Sequence, residues 1–255
     1  MRKGFLDWLA ADGADIVCLQ ETKAVEEQLA PADLDGVRAL GYQFHWHSAV
    51  RKGYSGVATL CRIAPLFVSR GVPFERDEGR VLVTEHGDFT LYNAYFPNGR
   101  QRPDGPDPER LAFKLEFYSS LLELLEEEKR QGKNLLVTGD WNTAHAAVDL
   151  ARPNENENVT GFLPVERRAL DEYVGRGWVD TFRHFKPAAS YQGLVPEGRD
   201  YTWWSYRGGA RDRNVGWRLD YHFVNAEFLD AVSSASIEDS VMGSDHCPIS
   251  VELDI

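Results

Sequence analysis

Apolar positions come in short bursts separated by polar turns, and their spacing changes along the chain. Over residues 3–11, Phe5, Leu6 and Leu9 recur at helical spacing, which predicts a short helix. Residues 15–19 hold the compact run Ile-Val-Cys-Leu and predict a buried strand. Residues 42–47 and 55–62 predict two strands separated by a turn at Gly53, and 81–84 with 89–96 predict a hairpin around His86-Gly-Asp88. Residues 97–107, rich in Pro, Gly and Asp, predict a loop. Asp107-Pro108 then offers an N-cap and a first-turn proline. The helix that follows extends to about Gln131, with Leu111, Leu115, Tyr118, Leu122 and Leu125 on one face and Gly132 as its stop. Residues 134–138 predict a strand that runs directly into Gly139-Asp-Trp-Asn142. Beyond it the pattern predicts a polar irregular stretch (151–164), a helix (165–174) and a loop (187–200). Strands over 201–206 and 218–224, flanking an Arg/Gly-rich connection, and a final strand (249–255) complete the chain. Several strands follow one another with no helix between them. That favours an α/β fold of antiparallel or mixed sheets with flanking helices over a doubly wound parallel sheet. With no repeat and no linker-like break, a single domain over 1–255 is expected.

Composition narrows the class. A chain of 255 residues buries a core without a disulfide or metal staple. Its 43% hydrophobic and 27% charged residues exclude a disordered or collagen-like chain. No apolar run approaches the roughly 18 residues of a membrane span. Asp7 and Asp12 interrupt the opening segment, so no signal peptide and no membrane partner are expected. Cys18, Cys61 and Cys247 are scattered beside apolar residues, as buried reduced thiols of a cytoplasmic protein would be. The net charge of −12 argues against coating nucleic acid by bulk attraction. It leaves room for an enzyme with local basic contacts and carboxylates around a cation. Arg far outnumbers Lys and clusters at Arg51, at Arg100 with Arg102, and at Arg207, Arg211, Arg213 and Arg218. Solvated loop charge is the simpler account of any one cluster.

The informative recurrence is an acid or amide where an apolar strand ends: Leu19-Gln-Glu21, Val137-Thr-Gly-Asp-Trp-Asn142, Leu219-Asp-Tyr221 and Met242-Gly-Ser-Asp-His246. A carboxylate at a strand end is held at the edge of the core, where it can bind a cation or orient a water. One such residue is ordinarily a turn former. Four that converge would make an oxygen-ligand metal site, and spacing alone reaches no further.

Eight segments carry a more specific signal. They are Asp15-Ile-Val-Cys-Leu-Gln-Glu-Thr-Lys23, Gly53-Tyr-Ser-Gly-Val57, Asn93-Ala-Tyr-Phe-Pro-Asn98, Gly139-Asp-Trp-Asn142, Gly161-Phe-Leu-Pro-Val-Glu-Arg167, Val179-Asp-Thr-Phe-Arg-His184, Asn214-Val-Gly-Trp-Arg-Leu-Asp-Tyr221 and Gly243-Ser-Asp-His-Cys-Pro-Ile249. In this order they resemble the exonuclease III-type apurinic/apyrimidinic endonucleases of the endonuclease/exonuclease/phosphatase superfamily. The resemblance implies a four-layer α/β sandwich, DNase I-like, with two facing sheets and outer helices. It implies Mg²⁺-dependent cleavage, with Mn²⁺ as a substitute, of the phosphodiester 5′ to an abasic site in double-stranded DNA. Exonuclease (3′→5′) and 3′-phosphodiesterase action on damaged 3′ ends are further expectations, and a monomer is expected.

Residue by residue, the resemblance gives Glu21 to the metal and Asp245 to the metal or its surroundings. Asp140 engages the nucleophilic water or leaving group, and Asn142 positions water and phosphate. Asp220 and His246 form an Asp–His pair, and Tyr95 and Asn98 contact phosphate. Trp203, Trp217 and Leu219 line the pocket for a flipped-out baseless sugar. One branch of the family has Phe at the first of these, so Trp203 is expected to narrow that pocket. Outside the resemblance, Tyr54 and Arg207 are candidate substrate contacts, with a flexible solvated turn as the simpler account of each. Extruding an abasic nucleotide costs little because its stacking is already lost.

The family pattern opens with a strand bearing Trp-Asn-Val-Asn/Asp-Gly, which this chain lacks before its first helix. A fold short of its first strand, with weak or absent activity for these 255 residues, is the expectation. Two alternatives stand beside the nuclease: a superfamily phosphatase acting on inositol phosphate or phospholipid, and a catalytically impaired DNA-binding module.

Overall fold

A computed structural model describes residues 4–187 and 200–255. The expected loop over 187–200 lies almost wholly outside the described residues. The chain divides into two compact units, one reaching Tyr95 and including Val137–Gly139, the other comprising Phe96–Leu136 and Asp140–Ile255.

In the first unit, α1 (Phe5–Asp12) precedes β1 (Ile16–Gln20), α2 (Pro31–Ala39), β2 (Gln43–His47) and β3 (Val57–Cys61). The three strands form an antiparallel sheet in the order β1-β3-β2, with Ile16 opposite Cys61 and His47 opposite Val57. Leu9, Val17, Val37, Tyr42 and Leu60 are buried together, joined by Phe5, Leu6 and Trp8 from α1. Helix α2 was not foreseen. Its Gly36 lets it lie close to α1, since a Cβ there would sit 2.8 Å from Leu6 Cδ1. β4 (Phe67–Arg70), β5 (Val81–Glu85) and β6 (Thr90–Tyr95) follow as an antiparallel meander. Fully buried Asn93 on β6 bridges to the other sheet. It accepts from Gln20 Nε2 at 2.8 Å and donates to the Ala58 carbonyl at 2.8 Å. A buried amide needs such partners, and here they lock the two sheets of this unit in register.

The second unit begins with the two-residue pair β7 (Gln101–Arg102) and β8 (Gly105–Pro106), then α3 (Pro108–Arg130). Asp107 caps α3 by accepting from the Glu109 and Arg110 amides. The buried stripe of α3 is Phe113, Lys114, Phe117, Tyr118, Leu121, Leu122 and Leu125. This corrects the expected face: Leu111 and Leu115 are only partly buried, because the two aromatic rings fill the interior instead. β9 (Leu135–Asp140), whose Val137–Gly139 belong to the first unit, α4 (Pro153–Asn156), α5 (Pro164–Gly175), β10 (Trp178–Asp180), α6 (Thr181–Phe185), β11 (Asp220–Asn225), β12 (Val232–Ile237) and β13 (Ile249–Leu253) complete the order. β10 pairs antiparallel with β11, and β12 with β13. Trp141 sits at the centre of this unit, stacked on Phe96 at 4.2 Å and packed on Phe223 at 4.7 Å and Tyr173 at 5.0 Å.

Residues 201–206 do not form the expected strand. Trp203 makes isolated bridges to Trp217 and His246 and no ladder. The Trp204 ring lies against Gly216, where a Cβ would stand 2.4 Å from its Nε1. Among the described residues no helix is long and apolar enough to cross a membrane. Cys18, Cys61 and Cys247 are free thiols.

Candidate active site

The exit of β9 is a tightly determined turn. Gly139 has φ 138°, and a Cβ there would lie 1.9 Å from the Ala94 carbonyl oxygen, so only glycine fits. Asp140, 6% exposed, follows, and its carbonyl accepts from the Phe96 amide at 2.9 Å. Asn142 adopts the left-handed conformation (φ 53°), which Asn tolerates better than most residues. Its backbone N–H donates to Asp140 Oδ1 at 2.8 Å. Its side-chain Nδ2 donates to Asp140 Oδ2 at 3.1 Å and to the Phe96 carbonyl at 3.0 Å. Both carboxylate oxygens of Asp140 are thereby oriented. Asn98 Nδ2 donates to Asn142 Oδ1 at 3.0 Å, which brings the two amides together.

Asp220, at the first position of β11, points to the same place. Its Oδ2 lies 2.9 Å from His246 Nδ1. One ligand atom each from Asp140, Asp220 and His246 falls within 4.8 Å of the others. Thr202 Oγ1 supports the strand start by accepting from the Leu219 amide at 2.9 Å and the Asp220 amide at 3.2 Å. Burial works against a charge on His246. The Asp220 carboxylate outweighs it, with Asp140 and Asp245 adding, and the imidazole pKa is pushed up to about 10. His246 is therefore an imidazolium at neutral pH, and with Nδ1 committed to Asp220 its Nε2 is the nitrogen left for a ligand.

Trp203, Trp217 and Leu219 meet beside this cluster around Ala144, Leu150 and Phe162. The two indoles are edge to face, 6.5 Å between ring centres. Trp203 Nε1 also donates to Asp245 Oδ2 at 3.2 Å, a bond that a phenylalanine could not make. Arg207 stands apart on an exposed turn, its amide donating to Ser205 Oγ at 3.2 Å.

The remaining expected residues belong to the first unit. Glu21, at the exit of β1, has φ 54° and an exposed carboxylate 2.9 Å from Lys23 Nζ. Tyr54 and Tyr95 flank the buried Arg80, whose guanidinium lies 4.8 Å from the Tyr95 ring centre and donates to the Tyr95 carbonyl at 2.8 Å and to the Tyr54 hydroxyl at 3.3 Å. Sequence reasoning missed Arg80, Thr202, Lys114 and Glu166. For Lys114 a signal existed, since it interrupts an otherwise apolar stripe of α3.

The model of the endonuclease/exonuclease/phosphatase family matches residues 2–246. An exodeoxyribonuclease of Bacillus subtilis is 40% identical over 100% of this chain and 94% of its own length. The DNA repair nuclease APEX1 of Danio rerio is 38% identical over 99% of this chain and 77% of its own. Among solved structures, an AP endonuclease from Archaeoglobus fulgidus superposes with a TM-score of 0.82 at 26% identity, covering 98% of this chain and 93% of that one. The 3′ phosphatase NExo from Neisseria, bound to a product DNA hairpin, gives the same TM-score and identity, with 98% and 92% covered. With its mixed α/β sheets, its strand-exit acids and a family match across nearly its whole length, the chain belongs to the endonuclease/exonuclease/phosphatase family.

Proposed function

We propose that this protein is a DNA-repair nuclease that hydrolyses the phosphodiester 5′ to an abasic site in duplex DNA and requires Mg²⁺. The observation that carries the reading is the meeting of Asp140, Asp220 and His246 beside the Trp203–Trp217–Leu219 cluster. A hydrolytic centre and an apolar cluster then stand side by side. The relatives named as exodeoxyribonucleases and AP endonucleases support the same reading.

The family is a metal-dependent one, and carboxylate oxygens suit a hard divalent cation that keeps several waters. Glu21 and Asp245 are the residues the resemblance gives to it. When bound, the cation neutralises charge building on the phosphoryl group and on the departing 3′ oxygen. The rest is done by side chains. Asp140, oriented by Asn142, accepts the proton of the attacking water as the new P–O bond forms and the bond to the 3′ oxygen breaks. The 3′ oxygen takes its proton from solvent. His246, charged and held by Asp220, donates from Nε2 to a non-bridging oxygen, where charge grows in the transition state. Asn98 and Asn142 orient the phosphate, with Tyr95 as a further contact. Trp203, Trp217 and Leu219 accept a baseless sugar and exclude a nucleotide that carries a base. A 3′-blocking phosphate offers the same phosphorus to the same groups, and the Neisseria neighbour named as a 3′ phosphatase supports that second substrate.

The test is a duplex with a single abasic site, assayed with Mg²⁺ and with EDTA, beside an inositol phosphate. Nicking 5′ to the site with Mg²⁺ alone, weak for these 255 residues, is expected, and Asp140→Ala is expected to lose about 1,000-fold in nicking while retaining duplex binding. Phosphate release from the inositol substrate with an intact duplex would overturn the reading, as would binding without cutting by the wild-type protein.

A further inference from the structure

Lys114 and Glu166 are fully buried and lie outside every role given above. Lys114 Nζ donates to Glu166 Oε1 at 2.6 Å and to the backbone carbonyl of Asn142 at 2.7 Å. Glu166 Oε1 also accepts from Thr160 Oγ1 at 2.8 Å, while its Oε2 accepts from the Gly161 amide at 2.6 Å and the Leu163 amide at 3.0 Å. Gly161 is wedged at a critical point. A Cβ there would lie 3.3 Å from the Asn142 carbonyl oxygen and 3.3 Å from the Trp217 ring, and its own carbonyl accepts from the Ala144 amide at 2.8 Å. The pair thus grips both sides of the centre. Lys114 holds the carbonyl of the left-handed residue that orients Asp140, and Glu166 holds the loop that backs Trp217. Burial pushes the Lys114 ammonium down from its ordinary range, opposed by Glu166 and Asp140.

A buried ion pair used only to join α3 to α5 would be replaceable by a neutral pair at little loss. Here the ammonium has a second acceptor, and that acceptor belongs to the turn carrying Asp140. We propose that Lys114 and Glu166 are positioning residues for the hydrolytic centre, fixing the Asp140–Asn142 turn against the Trp217 wall. The proposal rests on the nuclease reading.

The test compares wild type with the double variant Lys114→Met/Glu166→Gln, which removes both charges together. Thermal midpoint, affinity for the uncut abasic duplex in EDTA, and single-turnover nicking with Mg²⁺ are read for each. The expected result is a midpoint within a few degrees of wild type, affinity within about threefold, and a nicking rate lower by about 100-fold, the scale of a misplacement of about 1 Å. In an Asn142→Ala background the same double change is expected to cost less than about threefold, because its effect runs through that turn. A folded double variant that nicks at the wild-type rate would overturn the proposal and leave the nuclease reading standing. Wild type that does not nick would overturn both. Should the double variant not fold, Lys114→Arg is read instead. Its planar fork keeps the charge but cannot keep the Nζ position, and a nicking rate lower by about tenfold at an unchanged midpoint is expected, whereas a wild-type rate would overturn the proposal.

Discussion

The exits of β1 and β9 look alike in sequence, each an apolar run ending in a short polar string with an acid. In the structure they are opposites. Glu21 leaves β1 into an exposed position, 44% accessible, with one ion pair to Lys23 two residues on. Asp140 leaves β9 into a buried turn where two donors from Asn142 orient its carboxylate, Asn98 holds Asn142, and Lys114 holds the Asn142 carbonyl. An exposed acid is free to change partner when a cation arrives, since a surface ion pair is worth about 1 kcal/mol or less. A caged acid has its geometry set before substrate arrives, which suits a group that must meet a proton at a defined point.

That contrast can be broken in stages. Gly139→Ala has the largest expected effect, a loss of more than about 4 kcal/mol, because the new methyl collides with the Ala94 carbonyl at a left-handed position. A wild-type thermal midpoint would show that the turn yields. Asn142→Ala releases the Asp140 carboxylate from a side-chain donor and is expected to slow single-turnover nicking by about 100-fold. A change of less than threefold would mean the cage is ornamental. Third comes pH. The His246 pKa is raised above that of a free imidazole, so unfolding in EDTA releases its proton between about pH 6.5 and about pH 10. The pair's contribution, on the order of a few kcal/mol, is complete below about 6.5 and fades as pH rises through about 10. Thermal midpoints of wild type and Asp220→Asn should therefore converge on the alkaline side, and parallel curves would refute the charged pair. Lys23→Ala, at the open exit, is expected to change nicking by less than about threefold. A loss as deep as that of Asn142→Ala would erase the distinction between the two exits.

Local rules recover what is local. The apolar runs of β1, β3, β6 and β9 are legible because each is bounded by turn residues, and α3 because Asp107-Pro108 marks its start. β4 and β12 escape because their faces are partly exposed and, in Val-Ser-Ser-Ala-Ser-Ile, mostly small and polar. Residues 201–206 mislead because aromatic content imitates a strand where tertiary packing permits only single bridges. Among site residues, Asp140, Asp220 and His246 stand at strand ends or in a marked motif. Arg80, Lys114 and Thr202 act on backbone groups distant in sequence, and no residue pattern announces which carbonyl or amide will lie within reach.

The cysteines, unremarked by any chemistry above, give each half of the molecule its own clock. Cys61 lies wholly inside the first unit, its thiol pushed up to about 12 by burial, and Cys247 lies inside the second, pushed up by burial as well. Neither offers a thiolate to an alkylating reagent while its surroundings stay closed. With Cys18 replaced by Ser, the rates at which the two are labelled in the native protein will therefore time the opening of each half separately.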